Sequence, residues 1–411
     1  MTSRHLLLVG GGHAHAQVLL DIANARRRLQ ASHLARFAGT APADLAGLRV
    51  TLITPDDLAP YSGMIPGWLG GHFDWDACCV NFRRLCEMAG AQLQRGEVAR
   101  LDADGQTLTL QDGSQLAYDI LSINIGSTLH PHSDGSLPLL PLRPLAHLHQ
   151  HWERMQQQIR ALPPGSGRHL LMVGGGPAGV ESLLAAQHRL QQIAPQVHIK
   201  WTLITSGKHI LPGMAGSTIK RLARLLRQRQ VHLLPGFDAS HIACGKLHAR
   251  DGRSLRADGV LWATGAQAHA WPQQSALALD AQGFIRIDAS LRSISHPNVF
   301  AVGDCCSWGR NDSAALSADA AHGLPKAGVF AVRMGPVLSR NLQAMALAPD
   351  NGTAPLARYR PQRHYLVLIG TGDAQAVASR GSFSLQGGWV WCWKNRIDQR
   401  FLARFNGPEP D

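Results

Sequence analysis

The chain has 411 residues, 45% hydrophobic and 17% charged, and a formal net charge of +12. That is material for two or three globular domains, too apolar for a disordered or fibrous protein, and without the run of roughly 18–20 apolar residues that a spanning helix needs. The basic excess comes without a zinc spacing, an RNA-binding signature or a long Lys/Arg run, so anionic lipid or small anionic ligands are the expected partners and nucleic acid is not.

The first apolar run begins after four residues, too soon for a signal peptide, which makes the cytoplasm the expected location. "RHLLLVGGGHAHAQVLL" (4–20) predicts a strand, a glycine turn and a helix. In such a turn the first glycine permits the tight bend, the second lets the backbone approach a pyrophosphate, and the third allows close helix–strand packing. The phosphates then meet unpaired N–H groups at the helix N-terminus. Gly10 and Gly12 hold the first two places; His15 takes the third, after His13 and Ala14. A side chain at 15 should hold the helix slightly off the strand. The next strand, "LRVTLITPDD", follows an insertion containing "NARRRLQASHLARFAGTAPADLAG" and ends in Thr54–Pro55. The acid that usually holds an adenosine ribose therefore comes late, as Asp56 and Asp57. "TPDDLAPYSGMIPGWLGG" has no cysteine; Cys78, Cys79 and Cys86 follow it. "YDILSINIGS" (118–127) predicts a strand ending at Gly126, ahead of a Pro- and His-rich connector. Its histidines lack a repeated ligand spacing, so no metal is expected.

"HLLMVGGGPAGVESLL" (169–184) repeats the first motif with all three glycines, Gly174, Gly176 and Gly179, and with Pro177, Ala178 and Glu181 at the helix start. The strand after it, "IKWTLITSGKHI", ends without a carboxylate. Ser206, Lys208 and His209 could accept a 2′-phosphate there, which leaves NADH and NADPH both open. "ADGVLWATGA" (257–266) has the same acidic–apolar strand–small–Gly form as 118–127 and ends in Thr264 and Gly265. "HPNVFAVGDCCSW" (296–308) ends in Gly303–Asp304, where an Asp could accept sugar or ribityl hydroxyls or simply close a strand. Two dinucleotide folds in one chain imply two dinucleotides that meet, and the usual purpose is hydride transfer between a nicotinamide and a flavin. Seven cysteines without a Cys-x-x-Cys or Cys-x4-Cys spacing read as thiols of a reducing compartment. The Cys305–Cys306 pair, next to Asp304, is the exception to follow.

In this order the segments resemble the two-dinucleotide flavoproteins of the pyridine nucleotide–disulfide oxidoreductase superfamily over residues 1–345. The resemblance implies an α/β protein of two Rossmann-like domains. An FAD-binding domain (1–144 and 269–345) would be split by an NAD(P)H-binding domain (145–268), with a C-terminal region (346–411) of strands and an amphipathic helix. It places FAD at Gly10, Gly12, His13, Ala14, His15, Thr54, Ser62, Gly63, Met64, Gly126, Gly303, Asp304, Pro325, Lys326 and Ala327. It places NADH or NADPH at Gly174, Gly176, Pro177, Ala178, Gly179, Glu181, Ser206, Thr264 and Gly265. Tyr61 and Lys326 are the candidate catalytic residues. Tyr61 would line the flavin, and Lys326 would stand at a helix start facing its pyrimidine, where a cation or main-chain N–H stabilises an anionic reduced ring. The alternative for Lys326 is a solvated helix-start lysine. Glu181 could orient the nicotinamide or serve only the helix dipole.

No cysteine pair stands where a disulfide reductase needs one. "RHYLVLIGTGDAQAVASRGSFSLQGGWVWCWKNRIDQRF" resembles instead the tail of type II NADH dehydrogenases, single-subunit NADH:quinone oxidoreductases of the membrane surface. "GGGHAHAQVL", "PYSGMIPG", "LPKAGVFAVRMGPVLSRNL" and "TGDAQAVASRG" are similar to the dehydrogenase-like proteins fused ahead of selenophosphate synthetase in some bacteria, where histidines stand as His13 and His15 do. The Ala-Gln motif that type II enzymes keep beside the quinone is missing: "GLPKAGVFAVRMG" offers Lys326, Gly328 and Arg333. A small-molecule electron acceptor is implied, with quinone one candidate. Trp389, Trp393, Ile397, Phe401 and Phe405 recur every four residues, with Lys394, Arg396, Arg400, Arg404 and Asp398 between them. Residues 389–405 thus read either as a helix lying on a membrane surface, on the inner face of the cell membrane, or as a terminal helix packed on the FAD domain. Three functions follow: an FAD-dependent NAD(P)H oxidoreductase with a second acceptor, a sulfur- or selenium-directed flavoenzyme using Cys305 and Cys306, or a flavin-binding redox sensor. Oligomeric state is not legible.

Overall fold

The computed structural model describes residues 4–34, 47–308, 326–349, 355–362 and 365–407. Two five-stranded parallel sheets are built to one plan. The first runs Val299–Ala301, Ile120–Ile123, Arg4–Val9, Leu48–Thr54 and Gln92–Arg95 across the sheet. The second runs Leu139–Pro141, Gly259–Trp262, Gly167–Val173, His198–Thr205 and Val231–Pro235. The central strands are apolar on both faces, as strands covered by helices on both sides must be; Leu6, Leu7, Leu8 and Val9 are all buried. Pairing of Leu139–Pro141 starts the second sheet ahead of residue 145, and Val299–Ala301 returns the chain to the first sheet.

The duplication extends to single hydrogen bonds. His5 and His169 open the two central strands, and each places Nε2 against the hydroxyl of a threonine on the next strand, Thr51 (2.9 Å) and Thr202 (2.8 Å). Each also donates its backbone N–H to an aspartate, Asp119 (2.5 Å) and Asp258 (2.7 Å). That pairing explains the acidic residue before both strands of the acidic–apolar–small–Gly form. The exits of those strands are stitched together, Thr128 and Gln267 exchanging two backbone hydrogen bonds of 2.9 Å.

The C-terminal region adds an antiparallel sheet, Val367–Gly370, Ala376–Arg380 and Phe383–Gly387, and the helix Gly388–Asn406. Strand alternation splits the small sheet. Ala376 and Ala378 pack on Val390 and Trp391 of the helix. Ser379, on the other face, bonds Thr218 of the helix Gly216–Gln228 at 2.8 Å.

Candidate active site

Both glycine turns need their first glycine. Gly10 (φ +99°) and Gly174 (φ +124°) are left-handed, and a Cβ would meet the carbonyl oxygen of Asn124 at 2.5 Å or of Ala263 at 2.4 Å. The second turn then matches a pyrophosphate site. Gly176 opens onto clear space, with Pro177 and Ala178 exposed beside it, and a Cβ at Gly179 would lie 1.9 Å from the Gly174 carbonyl. In the first turn that close approach is replaced by a hydrogen bond. His15 is fully buried, with Nδ1 2.8 Å from the Gly10 carbonyl and Nε2 2.8 Å from Ser122 Oγ. Burial lowers its imidazole to about 4, so the ring is neutral, and a proton on Nδ1 satisfies both contacts. His15 bridges the turn to the neighbouring strand.

Asn124 and Arg143, which the sequence reading passed over, hold this region together. Asn124 accepts from the Ala14 N–H (3.2 Å) and donates to the Val302 carbonyl (2.9 Å), tying the turn to two strands. Its side chain also covers Gly12. Arg143 lies on the connector, with Nη1 2.6 Å from Asp304 Oδ2, in contact with Ser127 Oγ, and Nη2 3.4 Å from the Lys326 carbonyl. Gly126 stands open beside this cluster. Lys326 itself turns away from that side: its Nζ donates to the Cys306 carbonyl (2.5 Å) and lies 3.6 Å from the centroid of the Phe284 ring. The helix start after Ala327 approaches the Ser62 hydroxyl, at Gly328. Pro325 lies outside the described residues. Thr54 is buried beneath Gly11. Asp57 is bidentate with Arg95 (2.6 and 2.7 Å) and paired with Arg83, the Arg95 bonds first among the causes that hold its carboxyl down to about 2. The late acid is committed to arginines, and Asp56 remains exposed.

A buried polar chain runs from the first domain to the second through the C-terminal helix. The Tyr61 phenol is pushed far above the usual range, by burial foremost and then by the charge of the Asp398 carboxylate. Lys394 donates to Asp398 (2.8 Å) and to the Gly63 carbonyl (2.5 Å), and its Nζ lies 3.9 Å from Glu181 Oε1. Glu181 accepts the Gly370 N–H at 2.7 Å; burial raises its carboxyl to about 7. Tyr61 also packs against His13 (5.1 Å between centroids) and Phe401 (4.7 Å), and burial lowers His13 to about 4. Met64 is buried below.

This corrects the reading of the helix. Lys394 and Asp398 belong to its buried face with Val390, Trp391, Leu402 and Phe405. A four-residue repeat drifts about 40° per step on a helix of 3.6 residues per turn, so the aromatic stripe winds around it. Trp389 (56% exposed) and Trp393 begin in solvent, Phe401 reaches Tyr61, and Phe405 ends in the core. Arg404 donates to Gln17 (2.5 Å) and is exposed, as are Arg396 and Arg400.

At the nicotinamide side Ser206, Lys208, His209 and Gly265 are exposed, and the Thr264 hydroxyl accepts from Trp262 Nε1 at 2.8 Å. Cys305 and Cys306 are buried and donate to local carbonyls, Cys305 to Val302 and Cys306 to Gly303 (both 3.2 Å). Burial pushes Cys305 up to about 11 and Cys306 well above the usual thiol range. No group of three His, Cys, Asp or Glu side chains among the described residues is arranged to hold a metal.

Paired parallel sheets, each with a glycine turn after its central strand, are the architecture of a two-dinucleotide oxidoreductase. The pyridine nucleotide-disulphide oxidoreductase family matches residues 5–335, and the chain belongs to that family. It is 25% identical over 260 residues to an NADH dehydrogenase-like protein of Mycobacterium tuberculosis, an alignment covering 61% of this chain and 64% of that one, so it spans less than two thirds of that relative. In fold it is similar to NDH2 of Plasmodium falciparum in complex with NADH (TM-score 0.74, 15% identity, 98% of both chains). It is also similar to the sulfide:quinone oxidoreductase of Aquifex aeolicus (TM-score 0.73, 16% identity, 99% of this chain and 93% of that one). Its cofactors are accordingly FAD and a nicotinamide nucleotide, for which the open Gly176 and the Asp304–Arg143 cluster provide a fitting cradle.

Proposed function

We propose that the protein is an NAD(P)H:quinone oxidoreductase of the type II kind, working at a membrane surface. The observation that carries this reading is the buried chain Glu181–Lys394–Asp398–Tyr61, which joins the nicotinamide-binding helix to the flavin-lining segment through the helix bearing the exposed tryptophans. The exchange moves one hydride from NAD(P)H and one proton from solvent onto the quinone, giving NAD(P)⁺ and a quinol. FAD, when bound, supplies the two-electron carrier between them. Gly174, Gly176 and Gly179 hold the nicotinamide pyrophosphate, and the carboxylate-free rim of Ser206, Lys208 and His209 admits NADH and NADPH alike. Arg143 neutralises Asp304, which accepts hydroxyls of the flavin side chain. Tyr61 stays protonated and Lys394 stays charged, so Glu181, at about 7, is the member that takes up and gives up a proton near neutrality.

Turnover with a short-chain quinone is therefore expected to fall as pH rises through about 7, where Glu181 loses its proton, and Glu181→Gln should flatten that inflection. The same raised carboxyl binds its proton more tightly folded than unfolded. Its contribution to stability accordingly declines from the ordinary carboxylate range up to about 7. A pH–rate profile unchanged by Glu181→Gln would remove Glu181 from the relay.

A sulfur-directed reaction would need a thiolate at 305 or 306, and both groups are protonated and turned onto backbone carbonyls. Cys305→Ser with Cys306→Ser is expected to retain FAD and at least half of quinone turnover, measured by steady-state NAD(P)H oxidation. Loss of turnover with FAD still bound would favour the sulfur reading.

A further inference from the structure

The C-terminal helix has exposed apolar side chains and exposes Arg396, Arg400 and Arg404, while Lys394 is buried. A denser set of cations stands on another element. The helix Gly216–Gln228 ("GSTIKRLARLLRQ") contains no acidic residue. It buries Thr218, Leu222 and Leu226 and exposes Lys220, Arg221, Arg224 and Arg227. Between it and the strand Phe383–Gly387 lies an open groove of about 500 Å³ lined by Ser217, Lys220, Arg221, Arg224 and Gln386. Arg221 Nη1 sits 3.5 Å from Gln386 Oε1 across it.

That strand is an edge of the small sheet. Register puts Gln386 opposite Val377, on the groove side, and Leu385 and Phe383 opposite Ala378 and Arg380, on the other face. Phe383 is 79% exposed and Leu385 54%, on the side of the sheet where the helix with Trp389 and Trp393 packs. The strand thus carries apolar side chains on one face and borders clustered cations on the other. That is the cross-section of a lipid interface, acyl chains beside headgroup phosphates.

We propose that the groove between the helix Gly216–Gln228 and the edge strand Phe383–Gly387 is a binding site for the headgroups of anionic phospholipids, so that the nicotinamide half itself docks on the membrane. The inference rests on the membrane reading of the tryptophan face and assigns the charge-reading element to a different domain. An acidic protein would satisfy the cations; a bilayer also takes up Phe383, Leu385 and Trp389.

The test is partition of the FAD-loaded full chain onto phosphatidylcholine vesicles with and without phosphatidylglycerol. A variant carrying Lys220→Gln, Arg221→Gln and Arg224→Gln is expected to bind the anionic vesicles about 100-fold more weakly, from roughly fivefold per removed cation. It should keep the weak binding to phosphatidylcholine and full turnover with ferricyanide. Trp389→Ser with Trp393→Ser should lose both kinds of binding. An unchanged preference of the triple variant for phosphatidylglycerol would overturn the headgroup site while leaving the tryptophan face intact. Binding of the wild type to neither vesicle would overturn both. Capture by polyglutamate without capture by vesicles would assign the groove to a protein partner and overturn the lipid site.

Discussion

Lys394→Met is expected to lower the stability of the FAD-loaded protein by about 3–5 kcal/mol, the usual cost of removing one partner of a buried ion pair. Methionine matches the lysine stem in length, so little volume is lost, but the ammonium that bonds Asp398 at 2.8 Å and the Gly63 carbonyl at 2.5 Å disappears. Asp398 and Glu181 are then left buried together without a cation. The denaturant midpoint checks the loss. Lys394→Met with Asp398→Leu should recover part of it, because the apolar pair removes the stranded Asp398 carboxylate, while Glu181, which burial already raises to about 7, takes up a proton. Recovery of stability should not restore catalysis: quinone turnover is expected to stay about 100-fold down in both variants, because Glu181 loses the cation that positions it and a displaced reacting group costs on that scale. A stable double variant with normal turnover would show that the chain only holds the helix in place.

Gly179→Ala should cost about 100-fold in kcat/KM for NAD(P)H, the loss expected when a reacting group is displaced by about 1 Å. The added Cβ would start 1.9 Å from the Gly174 carbonyl, and neither backbone segment can swing aside. The helix Pro177–Ile193 must therefore move off its strand, carrying both the pyrophosphate cradle and Glu181 with it. FAD content should be unchanged, because the first turn is untouched. Gly176→Ala makes a useful contrast. Nothing of the protein lies within 4 Å of a Cβ there, so stability should be normal while the pyrophosphate is blocked. Equal nucleotide affinity of Gly179→Ala and wild type would contradict the assignment of this turn.

The two sheets and their glycine turns were legible because the signal is local: an apolar strand, glycines at fixed spacing and a helix. Even the acids before the two repeated strands were visible as a pattern, though their partners, the N–H groups of His5 and His169, lie in strands distant in sequence. Distance in sequence also hid Asn124 and Arg143. An Asn after a strand and an Arg before a proline carry no local signature, and their roles arise only when the turn, the Gly303–Asp304 segment and the connector converge. The C-terminal helix failed for a different reason. A spacing of four approximates the helical period closely enough to look like one stripe, yet it rotates from solvent into the core over its length. Its buried face, with Lys394 and Asp398, was therefore read as polar surface. Lys326 shows the limit of motif transfer, since its backbone stands at the expected helix start while its ammonium turns to Cys306 and Phe284.

The most direct test of the account is anaerobic stopped-flow on the FAD-loaded protein, following the oxidised-flavin absorbance as NADH or NADPH is added and then a short-chain quinone. The account predicts rapid bleaching with nucleotide and rapid recovery with quinone. Absence of bleaching with either nucleotide would contradict the oxidoreductase assignment, and bleaching without recovery would contradict quinone as the acceptor.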